Sequence, residues 1–186
     1  MKVKVTPFDR CERCELYQYR DQVVHGVGPM NAKIVIVGQN PGAEEDREGV
    51  PFIGKAGKIL NKCIERAGLK RSRIRITNAV HCLTPSNRPP SPTEIGKCFK
   101  WLKKELIEIE PEVIVLAGGV AMFALDIRGS VMEECGKIHE GEYEWGECAI
   151  IPMIHPAAIM YASSDEKKNM RRKIVGVLRD AKKCLE

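Results

Sequence analysis

Residues 34–54 read IVIVGQNPGAEEDREGVPFIG, and this stretch decides how the chain folds. The apolar run from Ile34 to Gly38 is typical of a short strand buried in a parallel sheet. The sixteen residues after it hold three more glycines, two prolines and a cluster of carboxylates, so we predict a long loop from Gln39 to Gly54. Ligands of open α/β sheets bind outside the carboxyl ends of the strands. The loop is therefore predicted to form the floor of an active site.

Strand-like and helix-like segments alternate along the chain, which is typical of a mostly parallel sheet with helices on both faces. The helix that begins at Ser91 has the clearest start, because a capping serine, a proline and Glu94 precede apolar residues at helical spacing. We predict a single α/β domain over residues 1–186, with a central, mostly parallel four-stranded sheet flanked by helices on both faces. An edge hairpin over 141–154 is expected to lead into the fourth strand. The predicted strands are 32–38, 74–80, 112–117 and 149–154, and the predicted helices are 55–67, 91 to near 111, 119–125 and 165–185.

The composition indicates a globular protein of one domain. With 186 residues, 44% of them hydrophobic, the chain is long enough to bury a sizeable core. It contains no long uncharged apolar run, and its first residues lack the apolar stretch of a signal peptide. We therefore expect no membrane association and an intracellular, cytoplasmic location.

The net charge of +5 is unevenly distributed. Residues 55–75 carry eight Lys or Arg and one Glu, and residues 166–186 carry eight basic and three acidic residues. Residues 133–147, in contrast, carry six Glu and one Lys. This polarity suits a protein that turns one face toward phosphates, although solvated faces of ordinary helices explain the charges alone equally well.

Four of the eight cysteines have a spacing that suits a metal site. Cys11 and Cys14 form a CxxC pair, and Cys82 and Cys98 flank a loop and one helical turn. Two such segments can bring together the four thiolates that Zn²⁺ or an iron–sulfur cluster requires. The alternative is that Cys82 and Cys98 are ordinary core cysteines, as expected of Cys63, Cys135, Cys148 and Cys184.

Several short motifs occur in a specific order: GQNPGAEED at 38–46, PFIG at 51–54, Asn78 after the second strand, and HPAA at 155–158. Together they resemble the uracil-DNA glycosylase superfamily, most closely its family 4, the iron–sulfur branch of thermophilic bacteria and archaea. The resemblance implies removal of uracil from DNA by hydrolysis, leaving an abasic site, and a prokaryotic or archaeal source. It also implies a [4Fe–4S] cluster on Cys11, Cys14, Cys82 and Cys98. The partners expected from it are DNA that contains a damaged base and, as candidates, replication or repair proteins, with the enzyme itself a monomer.

Each motif residue has a physical role in such a reaction. A base must leave the duplex to reach a pocket, where Phe52 would stack on its face and the backbone of Gly38 and Gln39 would approach it. The Asn78 amide can accept from N3–H of uracil and donate to O4, whereas cytosine presents the reverse pattern. A hydrogen bond from neutral His155 to uracil O2 would stabilise the departing anion. Without their motif context, these residues would be interpreted as a core aromatic, a turn residue and a buried histidine.

The first motif departs from family 4, in which it is usually GEAPG. Gln39 replaces the glutamate and cannot act as a base, and Asn40 replaces the alanine. Asn40 resembles the asparagine of the GxNP motif in the mismatch-specific and single-strand-selective branches, where it positions the attacking water. We predict that Asn40 orients water, with Glu45 or Asp46 supporting the positive charge on the sugar.

The end of the chain supplies predicted DNA contacts. Ile159 or Met160, expected at an exposed loop tip after HPAA, would fill the space left by the flipped base. The basic last helix, with Lys167, Arg171 and Arg172, would cover backbone phosphates. Two alternatives remain: a glycosylase for another base, such as hypoxanthine or thymine opposite guanine, and a non-catalytic iron–sulfur protein that binds nucleic acid.

Overall fold

The computed structural model describes residues 6–186 and has a five-stranded sheet at its centre. The strands follow the order β2-β1-β3-β5-β4, in which β2, β1, β3 and β5 run parallel and β4 pairs antiparallel with β5. The prediction of a mostly parallel α/β sheet is confirmed, with one strand more than the four predicted. The extra strand is the first arm of the predicted edge hairpin. The bounds are β1 Ile34–Gly38, β2 Ile74–Asn78, β3 Val113–Ala117, β4 His139–Tyr143 and β5 Gly146–Met153.

Helices cover both faces of the sheet, because successive side chains of each buried strand point to opposite sides. In β1, Ile34 and Ile36 pack into the core on one face of the sheet, and Val35 and Val37 pack into the core on the opposite face. Helices α2 and α7 pack on the first face, and α3 and α4 on the second. The bounds are α1 Ala43–Glu48, α2 Lys55–Arg66, α3 Pro92–Ile109, α4 Gly119–Ala124, α5 Val131–Glu134, α6 Ala158–Tyr161 and α7 Ser164–Lys183.

The segment predicted as one long loop contains helix α1. Three acidic residues occupy its first turn, where they interact favourably with the helix dipole. Gly49 ends it with a left-handed φ of 71°, and its N–H donates to the Glu45 carbonyl. The prediction of a continuous loop from Gln39 to Gly54 was therefore wrong for residues 43–48.

Helix α3 begins as predicted. The Ser91 side chain accepts from the backbone of Glu94, and the Glu94 carboxylate accepts from the backbone of Ser91. This reciprocal capping fixes the chain at the point where it leaves the loop that follows β2. Among residues 6–186, no helix is both long enough and apolar enough to cross a membrane.

Candidate active-site cleft

A cleft of about 400 Å³ opens at the carboxyl edge of the sheet. It collects residues that follow β1, β2 and β5, together with α1 and the segment after it. Seven of the residues predicted to bind substrate or DNA or to act in catalysis line it: Gln39, Asn40, Glu45, Phe52, Asn78, His155 and Met160. Residues from distant parts of the sequence thus meet where a parallel sheet is expected to place a ligand.

Gly38 allows Asn78 and Phe52 to approach each other closely. A Cβ atom at this position would lie 2.5 Å from Asn78 Oδ1 and 2.5 Å from Phe52 Cε2. Contacts this short are sterically forbidden, so a larger residue would displace Asn78 or Phe52. Gly38 itself is not part of the cleft lining, and its contribution is the space that it leaves.

Phe52 is held in an uncommon backbone conformation, with φ at 57°. Such values are strained for a residue with a bulky side chain and persist only where the surroundings enforce them. Its ring is 9% exposed, and its centroid lies 5.8 Å from that of His155, with the planes tilted by 32°. The cleft therefore has an aromatic wall whose position is enforced by the fold.

Asn78 presents a free amide. The side chain is only 3% exposed and lines the cleft. Among the described residues, no hydrogen bond ties its oxygen or nitrogen to another group. A buried amide is stable when a partner satisfies both of its ends, so Asn78 can offer a donor and an acceptor to a ligand.

His155 is fixed as a neutral hydrogen-bond donor. The backbone N–H of Ala157 donates to His155 Nδ1 at 3.1 Å, so the ring proton of the neutral imidazole is on Nε2. Burial lowers the pKa of His155 to about 4, which keeps the ring uncharged at neutral pH. Gly118, with φ at 93°, passes so close that its Cβ would lie 3.0 Å from that of His155.

Asn40 has one end of its amide occupied. Its Nδ2 donates to the Pro41 carbonyl at 3.0 Å and to Thr84 Oγ1 at 3.2 Å. The oxygen of the same amide receives no hydrogen bond from the described residues. Asn40 therefore offers the cleft an acceptor, which is the polarity needed to hold a water molecule by one of its protons.

The structure separates the two carboxylates that were predicted as alternatives. Glu45 lines the cleft, and its Oε1 accepts from the backbone N–H of Gly54 at 2.8 Å. Asp46 is 2% exposed, lies outside the cleft lining and accepts from the backbone N–H of Asp21 at 2.8 Å. Successive residues of a helix point about 100° apart, so α1 turns Glu45 toward the cleft and Asp46 away. The expectation that Asp46 lies at the site is not met.

The residues that follow HPAA lie in a short helix and differ in their exposure to solvent. Ile159 is 1% exposed and belongs to the core, so the expectation that it projects from a loop tip is wrong. Met160 lines the cleft, and the next residue, Tyr161, lines it too and is 85% exposed. A single turn of helix, α6, turns Ile159 inward and leaves Tyr161 at the rim.

The four predicted cysteine ligands converge beside the exit of β2. Cys82 and Cys98 are buried and pack with Cys14 in one small apolar cluster. Burial and, to a lesser extent, charge on the other three cysteines raise the pKa of Cys98 to about 12. Cys11, Cys14 and Cys82 therefore all lie close enough to Cys98 to influence its pKa. Cys63, Cys135 and Cys148 are buried or partly buried, but Cys184 is exposed and is not a core residue.

The donors around these sulfurs suit thiolate ligands. Trp101 Nε1 donates to Cys11 Sγ at 3.2 Å, and Arg20 Nη1 donates to Cys82 Sγ at 3.3 Å. Within residues 6–186, no group of three or more Cys, His, Asp or Glu could hold a metal ion as it stands. In a [4Fe–4S] cluster the four thiolates bind four different irons, so they need not surround one ion.

A basic groove runs between α2 and α7. Its lining is Arg66, Lys168, Arg171, Arg172, Val175, Gly176 and Arg179. Two of the predicted phosphate contacts, Arg171 and Arg172, lie in it, whereas Lys167 is not part of its lining. Basic residues of α7 and Arg66 of α2 thus share one groove, and this concentration of positive charge suits contact with a polyanion.

Two residues that line the cleft, and one that lies behind it, were not predicted from the sequence. Asn87 and Tyr161 line the cleft, and Thr84 supports Asn40 from behind. Asn87 belongs to a proline-rich loop without periodicity, and Thr84 reaches Asn40 across 44 positions of sequence. Only the exposed aromatic beside HPAA could have been noticed in advance.

Comparison with known proteins agrees with this geometry. Residues 25–179 match the model of the uracil DNA glycosylase superfamily. The chain is 39% identical over 158 residues to a type-4 uracil-DNA glycosylase of Archaeoglobus fulgidus, which covers 81% of this chain and 78% of that protein. It is 38% identical over 157 residues to one of Sulfurisphaera tokodaii, covering 81% and 71%. It is also 34% identical over 179 residues to one of Thermotoga maritima, covering 95% and 90%.

Proposed function

The chain belongs to the uracil DNA glycosylase superfamily, and from this premise we propose that it is a type-4 uracil-DNA glycosylase. It hydrolyses the bond between uracil and deoxyribose in DNA and leaves an abasic site. The observation that carries the proposal is the meeting of Asn40, Phe52, Asn78 and His155 in one cleft. These residues supply a water acceptor, a stacking face, a recognition amide and an oxyanion donor.

Recognition uses Phe52 and Asn78. The flipped base enters the cleft and contacts the Phe52 ring, which accepts any base because each has a π-face. The free Asn78 amide then accepts from N3–H of uracil and donates to O4. Cytosine would place a donor against the Asn78 nitrogen and an acceptor against its oxygen. Both ends of the Asn78 amide would then be buried without a hydrogen-bond partner, which strongly disfavours the binding of cytosine.

Bond cleavage uses His155 and Asn40. As the bond between N1 of uracil and C1′ of the sugar breaks, its electron pair moves to the base, and negative charge collects on O2. The Nε2–H of His155 donates to that oxygen and stabilises the anion. The sugar becomes positively charged at C1′, and Glu45, the one of the two predicted carboxylates that lines the cleft, would stabilise this charge. A water held by Asn40 Oδ1 adds to C1′ and loses a proton, and the uracil anion takes up a proton in its place, giving free uracil and an abasic sugar.

No lysine is assigned to this chemistry, so we propose that the reaction stops at the abasic site. A strand-cleaving glycosylase needs an amine that forms a Schiff base with the sugar. Lys55 lines the cleft but is exposed, in contrast to the desolvated amines that serve as nucleophiles.

The cysteines Cys11, Cys14, Cys82 and Cys98 are proposed to hold a [4Fe–4S] cluster. When bound, it supplies a cross-link between the N-terminal segment, the exit of β2 and helix α3. The donor set supports this assignment, since four thiols converge and two of them receive N–H···S hydrogen bonds. The cluster is not given a part in the cleavage step.

DNA contacts are proposed at the rim of the cleft and along α7. Met160 and the exposed Tyr161 are the apolar groups at the mouth that could occupy the space of the flipped base. Arg171 and Arg172 in the basic groove, with Lys167 nearby on the same helix, would contact phosphates.

The test is cleavage of matched oligonucleotides that contain uracil, hypoxanthine or a G·T pair, followed by alkaline breakage of abasic sites. Cleavage of the uracil substrate alone is expected. Preferred cleavage of hypoxanthine or G·T would show that the substrate is another base, the alternative that Asn40 in the first motif makes credible. Absence of cleavage on all three would mean a non-catalytic nucleic-acid-binding protein. Omitting the alkali is the control, and strand breaks without it would contradict the hydrolytic mechanism.

A further inference from the structure

A chain of hydrogen bonds connects Asn40 to the first turn of α3. Asn40 Nδ2 donates to Thr84 Oγ1 at 3.2 Å, and the Thr84 hydroxyl donates to the carbonyl of Arg88 at 2.5 Å. The Arg88 guanidinium in turn donates two bonds to the Glu94 carboxylate, of 2.8 and 2.7 Å. Glu94 is the buried capping-box residue of α3. The floor of the cleft is thus tied to a rigid element of the fold.

The direction of each bond sets the orientation of the Asn40 amide. A hydroxyl has one proton, and that of Thr84 goes to the Arg88 carbonyl, so the Thr84 oxygen can only accept from Asn40. The Pro41 carbonyl, the second neighbour, is also only an acceptor. Both contacts select the NH₂ end of the amide. The Oδ1 end is therefore the one left for water in the cleft.

The loop that carries Thr84 needs support to keep its shape. Ser86 and Asn87 both have left-handed backbone angles, with φ at 52° and 54°, a conformation that is unfavourable for residues with side chains. The buried Thr84 hydroxyl closes this turn by its bond to Arg88. Hydrogen bonding to Arg88 holds the pKa of Glu94 at about 2, so the pair that anchors the far end of the turn is charged at neutral pH.

We propose that Thr84 is the positioning residue that orients Asn40 for catalysis, with the Arg88–Glu94 pair anchoring the loop that carries it. The inference rests on the proposed role of Asn40 in holding the attacking water. Without the Thr84 oxygen, only the Pro41 carbonyl still holds the NH₂ end, so the amide rotates more readily and presents its NH₂ group to the cleft for part of the time. A water that accepts from NH₂ has one of its two lone pairs engaged and no acceptor for its proton, so it is a poorer and less well oriented nucleophile, and the reaction slows while the substrate still binds.

The experiment measures single-turnover cleavage of a uracil oligonucleotide by five proteins: the wild type, Thr84→Val, Thr84→Ser, Asn40→Ala and the double variant Asn40→Ala/Thr84→Val. Binding of a non-cleavable uracil analogue and thermal unfolding are measured for each. Thr84→Val is expected to slow cleavage about 5- to 30-fold, the effect of one or two hydrogen bonds of ordinary strength, with unchanged binding. Thr84→Ser keeps the hydroxyl and is expected to stay within about twofold of the wild type.

The double variant separates positioning from a general structural role. If Thr84 acts through Asn40, Thr84→Val causes no further loss once Asn40 is alanine. Equal losses in both backgrounds, a wild-type rate for Thr84→Val, or failure of Thr84→Ser to restore the rate would each overturn the inference. If Thr84→Val does not fold, Glu94→Gln weakens the same anchor, and its effect must likewise vanish with Asn40→Ala. Wild-type cleavage by Asn40→Ala would instead refute the proposed role of Asn40 itself.

Discussion

Replacing Gly57 with alanine is expected to damage the active site from the far side of Phe52. Gly57 lies in the first turn of α2, and a Cβ atom there would meet the Phe52 carbonyl oxygen at 1.6 Å and the carbonyl carbon at 2.1 Å. Both are backbone atoms, which cannot rotate away. The carbonyl would have to move by well over an ångström to reach the 3.0 Å below which Cβ contacts essentially do not occur.

The size of the effect follows from two opposing contributions. Alanine gains about 0.5–1 kcal/mol over glycine inside a helix, whereas forcing atoms into an occupied space costs about 1–3 kcal/mol. Because the obstacle is backbone already strained at φ 57°, we expect a net loss of about 1–2 kcal/mol in the free energy of unfolding. Displacing the Phe52 ring by about 1 Å is expected to reduce cleavage roughly 100-fold.

Chemical denaturation and single-turnover cleavage of a uracil oligonucleotide measure these two effects. Gly96→Ala is the matched control, since Gly96 is also helical but a Cβ there meets nothing within 4 Å. This control should gain up to about 1 kcal/mol and retain full activity. If Gly57→Ala is as stable and as active as Gly96→Ala, the reasoning about the Phe52 backbone is wrong.

Three further predictions address charge and the cysteines. The pKa of His155 is about 4 in the folded protein, against 6.5 in the unfolded chain. Its contribution to stability is therefore complete above pH 6.5 and is lost as the pH falls toward 4. The variant His155→Gln should flatten this part of a plot of unfolding free energy against pH. Replacing Arg171 and Arg172 with glutamine should weaken binding of uracil-containing and uracil-free duplexes alike. It should also reduce the slope of log binding constant against log salt concentration by about 2. A loss of binding confined to uracil-containing DNA would contradict a phosphate role. Purified protein should be brown, with broad absorbance near about 400 nm, and Cys98→Ala should lose both the colour and the bound iron; colourless wild-type protein that retains zinc would contradict the cluster.

The sheet and the site motifs were predictable because each has a local cause. Short runs rich in Ile and Val that end in glycine or asparagine are typical of buried strands, and the carboxyl ends of parallel strands meet at one edge of the sheet. Asn78 is the last residue of β2 and His155 lies just beyond the end of β5, so their meeting with Phe52 could be expected. The extra strand β4 alternates between partly buried and exposed residues, which is a weaker pattern than the continuous apolar run of β3.

The errors at the site come from two short helices whose sequences show no helical periodicity. Helix α1 buries only Asp46, so its sequence has no hydrophobic periodicity and was interpreted as loop. In a loop, Glu45 and Asp46 are interchangeable, whereas in a helix they diverge. The one-turn helix α6 likewise decides that Ile159 is buried and Tyr161 exposed. Such choices depend on tertiary packing, which a motif does not encode.

Three side chains of the cleft can act either as donor or as acceptor: Asn40, Asn78 and His155. They differ in the hydrogen bonds that they make to the rest of the protein. His155 receives an N–H on Nδ1 and must donate from Nε2, while Asn40 has its NH₂ group occupied and must accept at Oδ1. Hydrolysis needs this combination, because the leaving base gains negative charge and the attacking water must be held by its proton. Asn78 has neither end tied within the described residues, so it can offer both polarities side by side to one base edge. The two proposed catalytic groups are thus each restricted to one polarity by a hydrogen bond on their other side, whereas the proposed recognition group keeps both a donor and an acceptor.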